Sequence, residues 1–220
     1  MGECIIGLTQ PTVCVTITKL FIRRYRLTTL LAIALQDEFP NSAVPAGFDV
    51  VYTGVGKINA TYELTKKLML SHDEPPKEVI NFGTAGSVNG KCSGLVEVDV
   101  ILQRDMITEP LEPRGVTPYQ EASGIDHAIM LHSNSSITLG TGDSFVSEDD
   151  PWFEYANVDL VDMEAYALAV VCAKMGVKFR CFKYVSDNAN ENSKNDWKSS
   201  FKSAQKDWLK WLEAEKRLKT

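Results

Sequence analysis

Between residues 27 and 35 the chain reads LTTLLAIAL, apolar in both alternate positions, and this predicts a strand buried on both faces. GFDVVYTGVG, residues 47–56, predicts a second strand that runs into a glycine turn. The pattern then changes period. In KINATYELTKKLMLS, residues 57–71, apolar positions recur every three or four residues, as on an amphipathic helix. KEVINFGTAG (77–86) returns to strand character and closes on small residues, while GLVEVDVILQRDM (94–106) and SSITLGTGDSFV (135–146) are β-branched runs with polar or glycine-rich ends. NVDLVDMEAYALAVVCAKMG (157–176) predicts a buried helix with Asp162 and Glu164 at its entrance, and KFRCFKYVSD (178–187) a further strand. Towards the end, Trp197, Phe201, Ala204, Trp208 and Leu212 follow at intervals of four, three, four and four, one apolar stripe on a long helix. The polar run SDNANENSKND (186–196) before it predicts a surface loop or lid.

Alternating strand and helix signals define the class as α/β. They begin at residue 28, so the expectation is one domain over 28–220 preceded by an N-terminal extension, residues 1–27. The extension is modestly apolar, broken by Pro11 and followed by Arg23, Arg24 and Arg26, the reverse of the charge order in a secretory signal. It reads as a start upstream of the domain, a partner-binding arm or a weak anchor.

With 220 residues and 44% hydrophobic content, the chain can bury a substantial core. A net charge of −6 argues against nucleic acid or an anionic membrane as the main partner, because both need a basic face. The five cysteines have no paired spacing, and Cys172 and Cys181 lie within apolar runs, as reduced core residues of a cytoplasmic protein do. His72, His127 and His132 are scattered, so no metal-ligand cluster is expected. Nor is there a run of about 20 apolar residues of the kind that spans a bilayer.

Ligands of such sheets collect beyond the carboxyl ends of strands. The residues at those places are Glu38, Gly54 and Gly56, Thr84 to Gly86, Asp143 to Val146, Asp162 to Glu164, and Ser186 with Asp187. They offer carboxylates, small residues that admit a ligand close to the backbone, and Phe145, a flat ring for stacking. They offer few phosphate-binding cations. Ordinary tight turns, a core phenylalanine and helix-capping acids account for the same residues taken singly.

Taken together, GVGKINA, INFGTAGSV, GTGDSFV, VDMEAYALA and KYVSDNA occur in the order and spacing of the purine nucleoside phosphorylase and nucleosidase superfamily. The chain most resembles the 5′-methylthioadenosine/S-adenosylhomocysteine nucleosidases, from residue 28 to about residue 215. The resemblance implies a three-layer αβα nucleoside phosphorylase/hydrolase fold around a twisted mixed sheet, usually as a homodimer. It implies no metal and no organic cofactor, and a small purine nucleoside as the partner.

By the same resemblance Glu164 takes the ribose hydroxyls and Met163 packs against the sugar. The chemistry agrees, since a carboxylate accepts two hydrogen bonds from a vicinal diol and stabilises a sugar that becomes oxocarbenium-like. Asp187 matches the acid that protonates the leaving base at N7, and Ser186 orients it. Glu38 matches the base that activates water, with Asp37 beside it as a competitor. Phe145 and Val146 resemble residues that stack on adenine and meet its edge, and Thr84, Ala85 and Gly86 line the substrate site. Asp162 is expected to help the helix start, as a cap. Lys183 stands where these nucleosidases often carry arginine, and is expected to pair with Glu38 or steady the water.

Water is favoured over phosphate as nucleophile. Related phosphorylases place an arginine near INFGTAG, where this chain has Asn81, and Glu38 would repel a dianion. The expected activity is therefore hydrolysis of the N-glycosidic bond of adenosine-like nucleosides, 5′-methylthioadenosine and S-adenosylhomocysteine among them. A phosphorylase and a non-catalytic nucleoside-binding module are the alternatives. The segment ITEPLEPRGVTPYQEASG (107–124) does not resemble a thioether pocket, and Trp152 with Phe153 is the apolar pair expected to supply a lid instead.

Overall fold

A computed structural model describes residues 28–218 other than 72, 121–123, 149, 188 and 190–192. The expected extension, residues 1–27, lies outside the described residues. The first three predicted elements form where their patterns put them. Thr29–Ile33 is β1, Phe48–Tyr52 is β2 and Lys57–Leu70 is helix α1. β3 spans Glu78–Ser87. The single run GLVEVDVILQRDM divides into β4, Gly94–Glu97, and β5, Val100–Gln103. Val98 between them donates its N–H to the Cys181 carbonyl, and Asp99 takes the Ser133 N–H, so the run changes partners at that point.

β6 is Ala128–Met130, β7 Thr138–Thr141 and α2 Pro151–Tyr155. The helix expected after residue 157 is preceded by a strand, β8, Leu160–Asp162, so Asp162 ends a strand and α3 occupies Ala165–Met175. Gly176 terminates α3 in the left-handed conformation, φ 66°, which a residue without Cβ adopts at little cost. β9 is Lys178–Asp187 and α4 Ser193–Leu218.

The described strands form one mixed sheet in the order β2-β1-β3-β8-β7-β5-β6, with β9 paired to the other side of β3 and β4 to β9. β3 and β9 run parallel from Glu78/Lys178 onward; near the end Ala85 faces Val185 and Gly86 faces Asp187, leaving Ser186 as an extra residue, a β-bulge. Alternate residues of β1 enter opposite cores. Leu30 and Ala32 pack with Ala60, Leu64 and Leu68 of α1 and the apolar face of α3, while Leu31 and Ile33 pack with Phe39, Phe82 and Trp208. Helices therefore cover both faces, which is why β1 reads as a continuous apolar run. In α4 the stripe is buried at Ala204, Trp208 and Leu212; Trp208 stacks between Phe82 at 4.5 Å and Trp211 at 4.8 Å. The side chain of Trp197 lies outside the described residues.

Candidate active site

The ends of β3, β7, β8 and β9 and the turns after β1 and β2 surround a cavity of about 230 Å³. It brings together Glu38, Thr84, Ala85, Gly86, Phe145, Val146, Asp162, Met163, Glu164, Ser186 and Asp187, residues spread over most of the described sequence. Lys183 lies one layer further in, fully buried.

Glu38 is buried, and both its oxygens are engaged by the walls. Oε1 accepts from the Thr84 hydroxyl at 2.8 Å and the Thr84 N–H at 3.1 Å, and Oε2 from the Leu35 N–H at 3.2 Å. These bonds clamp the carboxylate between the β1 turn and β3.

Glu164 does not cap its own helix. Its Oε1 reaches across the cavity to accept the Gly56 N–H at 2.9 Å, tying the start of α3 to the start of α1. Burial raises its pKa to about 8, helped by the charge of Asp162 and, more weakly, of Glu38; Lys183 and the Gly56 N–H oppose the rise.

Asp162 does supply the cap expected of it, as its Oδ2 accepts the N–H groups of Glu164 at 3.2 Å and Ala165 at 2.9 Å. It also binds two further groups. Thr141 donates its hydroxyl to Oδ1 at 2.5 Å and accepts the Tyr166 N–H at 3.0 Å, and Lys183 Nζ stands 2.8 Å from Oδ2. Lys183 thus pairs with Asp162 rather than Glu38, and the expected pairing is corrected. β9 points the lysine towards the end of β8, and burial, which alone would depress its pKa, is outweighed by Asp162, Cys181 and Glu164, so the ammonium is held charged.

Asp187 follows the bulge at Ser186. Ser186 Oγ donates to its Oδ2 at 2.7 Å, and the Ala189 N–H to its Oδ1 at 2.9 Å. A Cβ on Gly86 would lie 2.8 Å from that Oδ1 and 3.1 Å from the Ala189 Cβ. Gly86 is therefore needed for the space Asp187 occupies.

Two expectations change. Asn81, invoked against phosphate, points into the core, donating to the Ala32 carbonyl at 3.0 Å and accepting from Cys181 Sγ; it is not part of the cavity wall. Trp152 does not line the cavity either, because its ring lies beneath the Arg114 guanidinium at 4.6 Å. Residues 107–120, which do not resemble a thioether pocket in sequence, do not line the cavity, and Arg114 among them is turned to the Arg104 carbonyl and to Asp150. Conversely, Arg104, a buried cation, stands on the cavity wall without being among the expected site residues. In sequence it is one charge at the end of an apolar run, with nothing periodic to single it out. No group of three or more His, Cys, Asp or Glu among the described residues could hold a metal ion, and no helix among them is long and apolar enough to cross a membrane.

Both the sequence and the fold place the chain beside known proteins. The family model of the Phosphorylase superfamily matches residues 50–214. The chain belongs to the phosphorylase superfamily. Among superfamily relatives, a 5′-methylthioadenosine/S-adenosylhomocysteine nucleosidase of Marinomonas sp. (strain MWYL1) is 28% identical over 182 residues, 72% of this chain and 76% of that protein. A protein of the same name from Shewanella sp. (strain W3-18-1) is 31% identical over 180 residues, 70% of this chain and 74% of that protein. In fold, the chain is similar to a Helicobacter pylori MTAN mutant with 5′-methylthioadenosine in the active site, at TM-score 0.70 and 19% identity over 86% of this chain and 97% of that one. It is similar also to the futalosine hydrolase of Helicobacter pylori, at TM-score 0.68 and 19% identity over 85% and 96%. The nucleoside phosphorylase/hydrolase fold expected from the sequence is the one observed.

Proposed function

We propose that this enzyme hydrolyses the N-glycosidic bond of adenosine-like purine nucleosides, releasing the free base and a ribose or 5-substituted ribose. The observation that carries the proposal is the convergence of Glu38, Glu164 and Asp187, from three different elements, on one cavity. Relatives named 5′-methylthioadenosine/S-adenosylhomocysteine nucleosidase support the same substrate class.

In the mechanism, Glu164 accepts hydrogen bonds from the ribose hydroxyls and Met163 packs on the sugar. Phe145 stacks on the purine and Val146 meets its edge. Water attacks the anomeric carbon and gives its proton to Glu38. The C–N bond breaks with its electron pair going to the purine, and Asp187 delivers a proton to N7 so that the base leaves neutral. Ser186 orients Asp187, and Thr84, Ala85 and Gly86 form the floor beneath. The negative charge of Glu38 favours a sugar gaining positive charge and opposes a phosphate dianion, and Glu164, whose pKa burial lifts to about 8, adds to both effects when it is ionised. Lys183 acts on Glu164 through Asp162.

The enzyme works as a homodimer in the cytoplasm. Ile58, Tyr62 and Met69 form an exposed stripe on α1, beside a groove of about 620 Å³ to which Val170, Val171 and Met175 of α3 contribute. A second copy is the occupant that covers such a stripe. Cys172 and Cys181 are free, buried thiols, in keeping with a reducing compartment.

The test is incubation of purified protein with adenosine, 5′-methylthioadenosine, S-adenosylhomocysteine and inosine, with and without phosphate, followed by identification of the sugar product. Free base with free sugar, at a rate independent of phosphate, is expected. Ribose 1-phosphate as the main product would identify a phosphorylase, and tight binding without base release a binding module.

A further inference from the structure

The strap that carries Phe145 and Val146 is fastened from below chiefly by the side chain of Arg104. Arg104, the residue after β5, is buried, and its fork meets three acceptors on the strap. Nη1 donates to Ser144 Oγ at 2.9 Å, and Nη2 donates to the Gly142 carbonyl at 2.9 Å and to the Ser144 carbonyl. The backbone lies flush on the guanidinium, since a Cβ on Gly142 would stand 2.9 Å from Arg104 Cζ. Asp105 adds a second tie by accepting the Asp143 N–H at 2.8 Å.

The bracket is itself held. Arg114 Nε donates to the Arg104 carbonyl at 2.7 Å, and the same guanidinium pairs with Asp150 at 2.7 Å and stacks on Trp152. This gives the charged segment before residue 120 a role, although it does not line the cavity. Phe145 at the other end of the chain of contacts is 46% exposed, so little packing holds its ring and the backbone of the strap sets the point from which it reaches the cavity.

We propose that Arg104 is a positioning residue for purine recognition, holding the 142–146 strap so that Phe145 and Val146 face the base. The inference rests on the nucleosidase reading of the cavity. Lysine cannot replace it, because a single ammonium lacks the planar fork that reaches several acceptors at once.

Steady-state kinetics of Arg104→Lys, Phe145→Ala and the double variant test the idea, with the nucleoside best cleaved by the wild type. Arg104→Lys is expected to raise KM about tenfold while kcat stays within about threefold, the signature of lost binding that is not specific to the transition state. If Arg104 acts through Phe145, the double variant will be no worse than Phe145→Ala alone, whereas independent roles give additive losses. An unchanged KM in Arg104→Lys, or additive losses, overturns the proposal. Should Arg104→Lys fail to fold, Ser144→Ala paired with Phe145→Ala decides the question by the same criterion, since it leaves the arginine in place. A wild type that cleaves no nucleoside overturns the nucleosidase reading, whereas a wild type that cleaves and an Arg104→Lys that matches its KM overturns the positioning role alone.

Discussion

Lys183 and Asp162 form an ion pair of 2.8 Å in which each side chain is 1% exposed. The pair sits between the cavity and the core, and Asp162 passes its constraint to the first N–H groups of α3, where Glu164 stands. Removing one partner leaves a buried charge uncompensated, a loss that typically costs about 3–5 kcal/mol. Lys183→Met should therefore unfold at markedly lower denaturant concentration than the wild type. A shift in midpoint equivalent to less than about 1 kcal/mol, the scale of an exposed pair, would mean that Asp162 is stabilised by its hydrogen bonds alone.

Glu164 makes stability depend on pH. Burial, with Asp162 as the second cause, lifts its pKa from 4.5 to about 8, so between those values the folded protein binds a proton that the unfolded chain does not. Its contribution is fully present below pH 4.5 and is lost as pH rises through about 8. The ligand-free protein should lose stability between pH 6 and 9 relative to Glu164→Gln, which has no proton to release. Parallel denaturation midpoints for the two proteins across that range would exclude Glu164 as the source.

Much of this arrangement could be read from the sequence, and the exceptions have a common cause. β1, α1, β3 and α4 carry strong local patterns, and the motif residues Glu38, Phe145 and Glu164 fall past strand ends as expected, whereas Asp187 is the last residue of β9 itself. β8 was hidden because Leu160–Asp162 is three residues long and joins an apolar helix without a break; its pairings to β7 and β3 are tertiary. The division of β4 from β5 depends on Val98 meeting the Cys181 carbonyl, and the bulge at Ser186 on the register with β3. Lys183 was given the wrong partner for the same reason. Sequence spacing places it near the site, but only the pairing of both β8 and β9 with β3 brings it to Asp162 rather than Glu38.

Gly86 tests whether the place of Asp187 matters to turnover. An alanine Cβ would sit 2.8 Å from Asp187 Oδ1, closer than real contacts allow, so the carboxylate must move. Gly86→Ala should lower kcat by roughly 10² or more, the scale of a lost general acid, with a smaller change in KM. Asp187→Asn should do the same while leaving nucleoside affinity within about tenfold. Wild-type kcat in both variants would remove Asp187 from the mechanism.

The exposed stripe on α1 predicts how the active site is linked to assembly. Ile58 is 81% and Tyr62 62% exposed, one turn apart on the same face, and the helix they sit on begins at the turn whose Gly56 N–H holds Glu164. Lys57, the first residue of that helix, also donates its N–H to Asp143 at 2.8 Å and its ammonium to Asp105 at 2.6 Å, so three walls of the site meet at the start of α1. If a second copy covers the stripe, a charge placed there must be desolvated or the pair must separate. Ile58→Glu with Tyr62→Glu should therefore sediment as a monomer under conditions in which the wild type sediments as a dimer. The monomer should keep its fold, because both side chains lie outside the cores, yet lose affinity for nucleoside as the anchored end of α1 loosens. A double variant that remains dimeric would place the interface elsewhere. One that is monomeric with wild-type KM would show that the bonds from Gly56 and Lys57 hold the site without help from the partner.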